Sequence, residues 1–479
     1  MKNFRGKCVK CLRLISVEPT MWFYMMAFMT TSVIEQAFFV HKACRVDHGL
    51  SKEICRNLTE NKDLNTKVQI TVSKFHQWNN IASHVFPIIL AFFIGNWSDR
   101  HGRKLLLILG LFGKLIYSLM IIVNSLILSW GINMIIYTAS IPSTLFGADV
   151  AIFASCFAYI SDVSTLEQRT LRVTILDAVY LSAMPMGIAL GSYLYNHVVN
   201  FSFTIMFAIN SSLLILSIIY SLLNLKWQTN VRQEPLKGTN VCLDFFDKKH
   251  VIATIKTLAK RRNFNGRQFL WILLLGMMLY TFQRDEKQMS FLYTTLIFKW
   301  NVANFSTFRT FQSTLYVIAM LLGVPLMSKF LKLRDTSIIV IGTLSHAGAR
   351  VIFSLAKIPE LFYFGSLVGA LGPIVAPVLR SMISKVVPAE ERGKIFSILS
   401  VFDNAVPLFS GVLYSQLYNA TIDTMPYSIY WLTAASQIAV LLLVLIIHFS
   451  NGSQHLDHES LPIEPSLSRT TSNDKLESA

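Results

Sequence analysis

The sequence predicts an all-α membrane protein with twelve transmembrane helices in two six-helix bundles and both termini in the cytoplasm. Three observations carry that expectation. The 479 residues are 53% hydrophobic and only 15% charged, and the apolar residues fall in repeated blocks instead of being shared between a core and a wetted surface. Each block can cross a bilayer, which takes about 20 mostly apolar residues in a helix because backbone groups in lipid find partners only inside the helix. Lysines and arginines crowd onto alternate connections, and that asymmetry sets orientation.

The blocks lie near 20–40, 76–96, 104–126, 132–160, 171–195, 202–225, 269–289, 309–329, 336–356, 361–387, 394–418 and 428–449. Basic residues gather at the N-terminus (Lys2, Arg5, Lys7, Lys10, Arg13), in the second connection (Arg100, Arg103, Lys104) and in the sixth (Lys248, Lys249, Lys260, Arg261, Arg262). The short odd-numbered connections are almost bare, Lys299 and Lys357 being the exceptions. An even number of spans follows. The net charge of +16 would otherwise suggest nucleic acid, but its distribution is that of a membrane protein, and no nucleic-acid partner is expected.

The first loop, about 41–75, holds the sequon Asn57-Leu58-Thr59 and is expected on the luminal or extracellular side, where Asn57 is a glycosylation candidate. The sequons at Asn304 and Asn419 fall on the same side but close to the membrane. Of six cysteines only Cys44 and Cys55 lie in an oxidising loop, where one bridge could tie its base. The first apolar block is long enough to act as an anchor and not as a cleavable signal.

The connection 226–268 divides the chain into a first bundle, 1–225, and a second, 269–450, followed by a polar tail, 451–479, expected to be disordered. Within the connection, Phe245, Val251, Ile252, Ile255, Leu258 and Ala259 recur at helical spacing among Lys248, Lys249, Lys256 and Lys260. That pattern fits an interfacial helix on anionic lipid, or a solvated basic linker. A weak repeat relates the bundles: Glu167-Gln168-Arg169-Thr170 precedes the fifth span and Glu390-Glu391-Arg392-Gly393 the eleventh, with Pro185 and Pro407 at comparable depths.

Between the second and third spans stands Gly95-Asn96-Trp97-Ser98-Asp99-Arg100-His101-Gly102-Arg103-Lys104. This string resembles the loop signature of the major facilitator superfamily. Gly95 suits close helix packing, Gly102 a tight turn, and the bases suit anionic lipid or a carboxylate partner. The resemblance implies the major facilitator fold, with the aspartate paired to an arginine and to the N-terminal end of the eleventh helix, where a carboxylate meets a positive dipole. Gly95, Asp99, Arg100, Gly102 and Arg103 are therefore gating candidates, joined by Arg169 and Arg392 at the repeated positions.

Ionisable residues at bilayer depth cost several kcal/mol unless they face protein or water, which makes each a functional candidate. They are Glu35 in span one, Asp149 in span four, Asp177 in span five, His346 and Arg350 in span nine, Arg380 in span ten and Asp403 in span eleven. Asp177 and Arg380 each lie about two turns from the cytoplasmic end and so share one level. An arginine suits planar anions through its bidentate fork. A carboxylate withdrawn from water has its neutral form favoured, as proton coupling requires. A static salt bridge is the alternative for Asp177 with Arg380, and likewise for Glu35, Asp149 and Asp403. His346, Arg350 and Lys114 are read as packing or snorkelling residues, and His84 as a satisfied bundle histidine.

Several strings also resemble the solute carrier 46 family: Val17-Glu18-Pro19; Trp97 to Lys104; Cys156-Phe157-Ala158-Tyr159-Ile160-Ser161-Asp162; and Val378-Leu379-Arg380-Ser381-Met382-Ile383-Ser384-Lys385-Val386-Val387. The likeness spans the core and not the tail, and the last two strings are closer to the lysosomal member than to the folate carrier. It implies a secondary active transporter of amphipathic organic anions (folates, cyclic dinucleotides, muropeptides, conjugated steroids), proton-coupled, in the plasma or lysosomal membrane. Arg380 matches the family arginine tied to substrate and proton handling. Asp177 stands where the folate carrier has a coupling glutamate. Thr281 departs from the pattern, lying near a coupling histidine of the folate carrier.

The partners expected are therefore a small organic anion, protons and the lipid bilayer, for a monomer or weak homo-oligomer with no cofactor or metal. An uncoupled facilitator or exporter is the alternative, separated by transport with and without a pH gradient. A non-transporting sensor or scaffold is the third reading, which solute flux in vesicles would oppose. No nucleophile–base pair, metal-spaced Cys/His set or phosphate loop suggests an enzyme.

Overall fold

The computed structural model describes residues 15–164, 166–229, 233, 244–246, 266–387 and 392–450. The basic N-terminal residues, the Val251–Lys260 stretch, Glu390, Glu391, the tail 451–479 and the side chains of Arg169 and Arg392 lie outside what it describes.

Every regular element among the described residues is helical. The long segments are α1 (Glu18–Asp47), α2 (Lys62–His101), α3 (Lys104–Leu126), α4 (Ile136–Val163), α5 (Leu166–Tyr193) and α6 (Phe203–Asn224). Then come α7 (Gly266–Thr281 continuing into Glu286–Ile297), α8 (Val302–Ser328), α9 (Asp335–Leu355), α10 (Pro359–Val386), α11 (Arg392–Thr421) and α12 (Ser428–Phe449). Eleven of these are long and apolar enough to cross a membrane. The exception is α7, which a 3-10 turn at Phe282–Arg284 divides into pieces of 16 and 12 residues.

The first loop is shorter than expected, because α2 begins at Lys62, capped by the Asn61 side chain, and not near residue 76. Its early turns are too polar to read as membrane. They persist as helix because Asn65, Gln69 and Ser73 are buried against other helices. Pro185 and Pro407 sit inside α5 and α11.

Helix α1 packs on α5 and α6, and α3 on α4 and α6; in the second group α9 packs on α12 and α10, and α7 on α12 and α10. The two groups meet chiefly through α2 against α11 and α5 against α8. One end of the molecule carries the Cys44–Cys55 disulfide, Cα atoms 5.8 Å apart, in a loop where Asn57 is exposed. There the buried Lys42 ammonium donates to the carbonyls of Asn124 (2.7 Å) and Ile127 (3.3 Å), closing the C-terminal end of α3. The other end carries the Gly95–Lys104 loop. We call these the disulfide end and the basic end.

Candidate functional site

Hydrogen bonds between the two groups of helices, among the described residues, cluster on one stretch of α2. Gln69 donates to the Leu292 carbonyl (3.1 Å) and accepts from Tyr418 (2.7 Å), while Ser73 and Ser415 bond hydroxyl to hydroxyl (2.8 Å). Gln416 donates to Gln77 (2.9 Å), and Asn80 to Asp285 (3.2 Å). Gly411 makes the α2–α11 approach possible, since a Cβ there would lie 2.4 Å from Asn80 Nδ2. These residues lie from the disulfide end to mid-depth, so the groups are bonded there.

At the basic end the signature loop bonds within its own group. Asp99 pairs with Arg103, one turn on, and its side chain is 60% exposed. Arg103 Nε also donates to Asp162 (3.1 Å), Arg100 lies 3.4 Å from Asp244, and Gly95 packs at partial exposure. The expected partner of Asp99 at the start of α11 falls on residues whose side chains lie outside those described. Gly102 has φ +100°, and a Cβ would meet the Trp227 carbonyl oxygen at 2.3 Å, so the turn requires glycine twice over. Phe245, the one described member of the linker's apolar series, packs on Trp97 with ring centroids 5.7 Å apart.

Between these ends lie three polar groups. In the first, Gly147 at φ +81° breaks α4 and starts its second half with Asp149, which accepts from Tyr24 and from Lys114 (2.9 Å). Lys114 is thus an ion-pair partner and not a snorkelling residue. Glu35 accepts from Tyr117. Tyr24, Phe153 and Tyr180 form an edge-to-face series, with centroids 6.1 and 5.5 Å apart.

The second group joins Arg380, half exposed, to Asp403 at 3.4 Å; Asp403 also accepts from Thr281 (3.1 Å). Asp177 is exposed and makes no ion pair to a described residue, although Arg380 lies within its electrostatic reach. The expected Asp177–Arg380 pairing is therefore a facing of charges, with Asp403 as the direct partner of the arginine.

The third group sits at the break in α7, in the run Arg284-Asp285-Glu286-Lys287. Glu286 is buried and accepts twice from buried Arg350, both at 3.1 Å. Arg350 is thus a core ion-pair residue and not a lipid-facing one, with His346 buried beside it one turn away. Asp285 is buried, accepting from Asn80 and Ser410. Arg284 and Lys287 are exposed. No site expectation included this run, although four consecutive ionisable residues inside the apolar block 269–289 are a visible signal. They read as the end of a span because a continuous helix offers no partner at that depth. His84 bonds to the Asn80 carbonyl (2.8 Å), as a satisfied bundle histidine does.

The family model of the Major Facilitator Superfamily matches residues 64–313 and 289–466. The chain is 27% identical over 432 residues to the lysosomal proton-coupled steroid conjugate and bile acid symporter of Gallus gallus, covering 86% of this chain and 89% of the relative. It is 24% identical over 440 residues to the probable peptidoglycan muropeptide transporter of Drosophila melanogaster, covering 86% and 81%. To the proton-coupled folate transporter of Bos taurus it is 23% identical over 390 residues, covering 79% and 81%. Among solved structures, the D-xylose–proton symporter superposes with a TM-score of 0.65 at 14% identity, covering 92% of this chain and 99% of that one. The human organic anion transporter MFSD10 does so at 0.60 and 12%, covering 89% and 97%. Those likenesses are of fold.

Proposed function

This chain belongs to the Major Facilitator Superfamily, an integral membrane transporter family and not an enzyme class, and we propose that within it the chain is a proton-coupled carrier of a small amphipathic organic anion. The observation that carries this reading is Arg380, half exposed, with the carboxylate of Asp177, which pairs with no described residue, in its reach from the other helix group. An arginine left half in water on a transmembrane helix is able to take a substrate anion bidentately. The aromatic series Tyr24, Phe153 and Tyr180 supplies an apolar wall for the rest of such a solute.

Alternating access follows from two bodies, 1–225 and 269–450, rocking about the site. In this proposal α7 crosses the membrane as a broken helix, giving twelve spans and cytoplasmic termini. Hydrogen bonds between the groups run from the disulfide end inward, which is the pattern of a carrier open at its basic, cytoplasmic end. Asp177 carries the proton; Glu35 and Asp149 hold the first group's tyrosines and Lys114 in place. The names of the chicken, fly and cattle relatives support the solute class and the lysosomal or plasma membrane. Thr281, a hydroxyl that does not titrate in this range, favours an uncoupled facilitator as the second reading.

Uptake of folates, cyclic dinucleotides, muropeptides and steroid conjugates into vesicles at acidic and neutral outside pH tests the proposal. Uptake of at least one class, faster at acidic pH, is expected. Flux indifferent to pH leaves the facilitator, and no flux of any anion overturns both.

A further inference from the structure

The break in α7 leaves a charge imbalance that no described residue closes. Arg284, Arg309, Arg350 and Glu286 lie within electrostatic reach of Lys287, and with Asp285 next in sequence to Arg284 the cluster of four bases and two acids has a formal net charge of +2. The two acids are already committed, Glu286 to Arg350 and Asp285 to Asn80 and Ser410. Arg309 donates to the neutral Gln312. Arg284 and Lys287 have no hydrogen bond or ion pair to any described residue, and both are exposed. Asp149 lies within electrostatic reach of Arg284 but is already paired with Lys114. Two uncompensated cations at membrane depth are costly unless they face water and await an anion. Interrupted membrane helices are where carriers place such sites, because the freed chain can turn side chains off the helix axis.

We propose that Arg284 and Lys287, with Arg309 behind them, form a second anion subsite, so that the substrate carries two separated anionic groups. The proposal rests on the organic-anion reading and adds the number and placement of charges. Tyr180 lies within electrostatic reach of both Arg284 and Arg380, so an aromatic ring stands near each pole. The body of the solute packs on that ring while one anionic group meets Arg380 and the other the α7 break.

Equilibrium binding to the full chain in lipid nanodiscs, with a steroid 3-monosulfate and the matching 3,17-disulfate as probes, tests this. Losing one charge-assisted contact corresponds to about tenfold or more in affinity. Wild type is expected to bind the disulfate at least about tenfold more tightly, and Arg284→Gln and Lys287→Gln to bring the ratio of the two affinities towards one. Lys287→Arg, which keeps the charge, should retain the preference and shows that the site is folded. Equal affinity for the two probes in wild type, or a preference that survives both Gln variants, overturns the second subsite while leaving an anion carrier intact. Binding of neither probe overturns the two-anion steroid site proposed here, while the organic-anion reading stands or falls on the uptake panel.

Discussion

At the scale of residues, the molecule separates ionisable side chains buried against an opposite charge from those left partly in water. Glu286 and Arg350 are each about 6% exposed and bonded twice. Removing one partner of a buried pair strands the other charge and costs about 3–5 kcal/mol, whereas replacing both by apolar groups of similar volume is often neutral. Glu286→Gln is therefore expected to lower the melting temperature of the purified protein sharply, and Glu286→Leu with Arg350→Met to restore it; an unshifted melt in the single variant would show that the pair is not structural. Arg380 is of the second kind. Arg380→Lys keeps the charge but loses the fork, and should raise the apparent KM, while Arg380→Ala nearly abolishes uptake at normal abundance. An apparent KM unchanged between wild type and the Arg380→Lys variant would make the residue a plain counter-ion for Asp403. Asp149, Asp177, Arg380 and Asp403 are legible as isolated charges in apolar blocks. Their partners are not, because pairing depends on which helix face turns inward, and one sequence leaves that open.

At the scale of elements, periodicity and block length locate every long helix, and the irregularities escape. The start of α2 is hidden because Asn65, Gln69 and Ser73 read as loop, yet all three are buried and Gln69 and Ser73 bond to the second group of helices. The α7 break is hidden for the converse reason, since an apolar block implies an uninterrupted helix. The glycines make testable points of both kinds. Gly102→Ala forces a side chain into a left-handed backbone and onto the Trp227 carbonyl, and such strain costs about 1–3 kcal/mol; reduced abundance is expected, with normal abundance counting against the turn. Gly411→Val crowds Asn80 and should loosen α2 from α11. A cysteine introduced by Ser415→Cys should then react faster with an impermeant thiol reagent applied from the disulfide side, and an unchanged rate would mean that this closure does not depend on the glycine.

At the scale of the whole molecule, two groups of helices bonded at one end with exposed charges on both are the arrangement the proposed carrier needs, and in that proposal transport depends on Asp177 gaining and losing a proton. The carboxylate lies within electrostatic reach of Arg380, whose direct partner is Asp403. Net uphill movement requires both protonation states, whereas exchange of solute for solute requires only one. The most direct measurement compares the two modes in vesicles reconstituted with Asp177→Asn, a permanently neutral form. The account predicts that accumulation driven by an inward proton gradient is lost while solute exchange persists. Full pH-driven accumulation by that variant would contradict it.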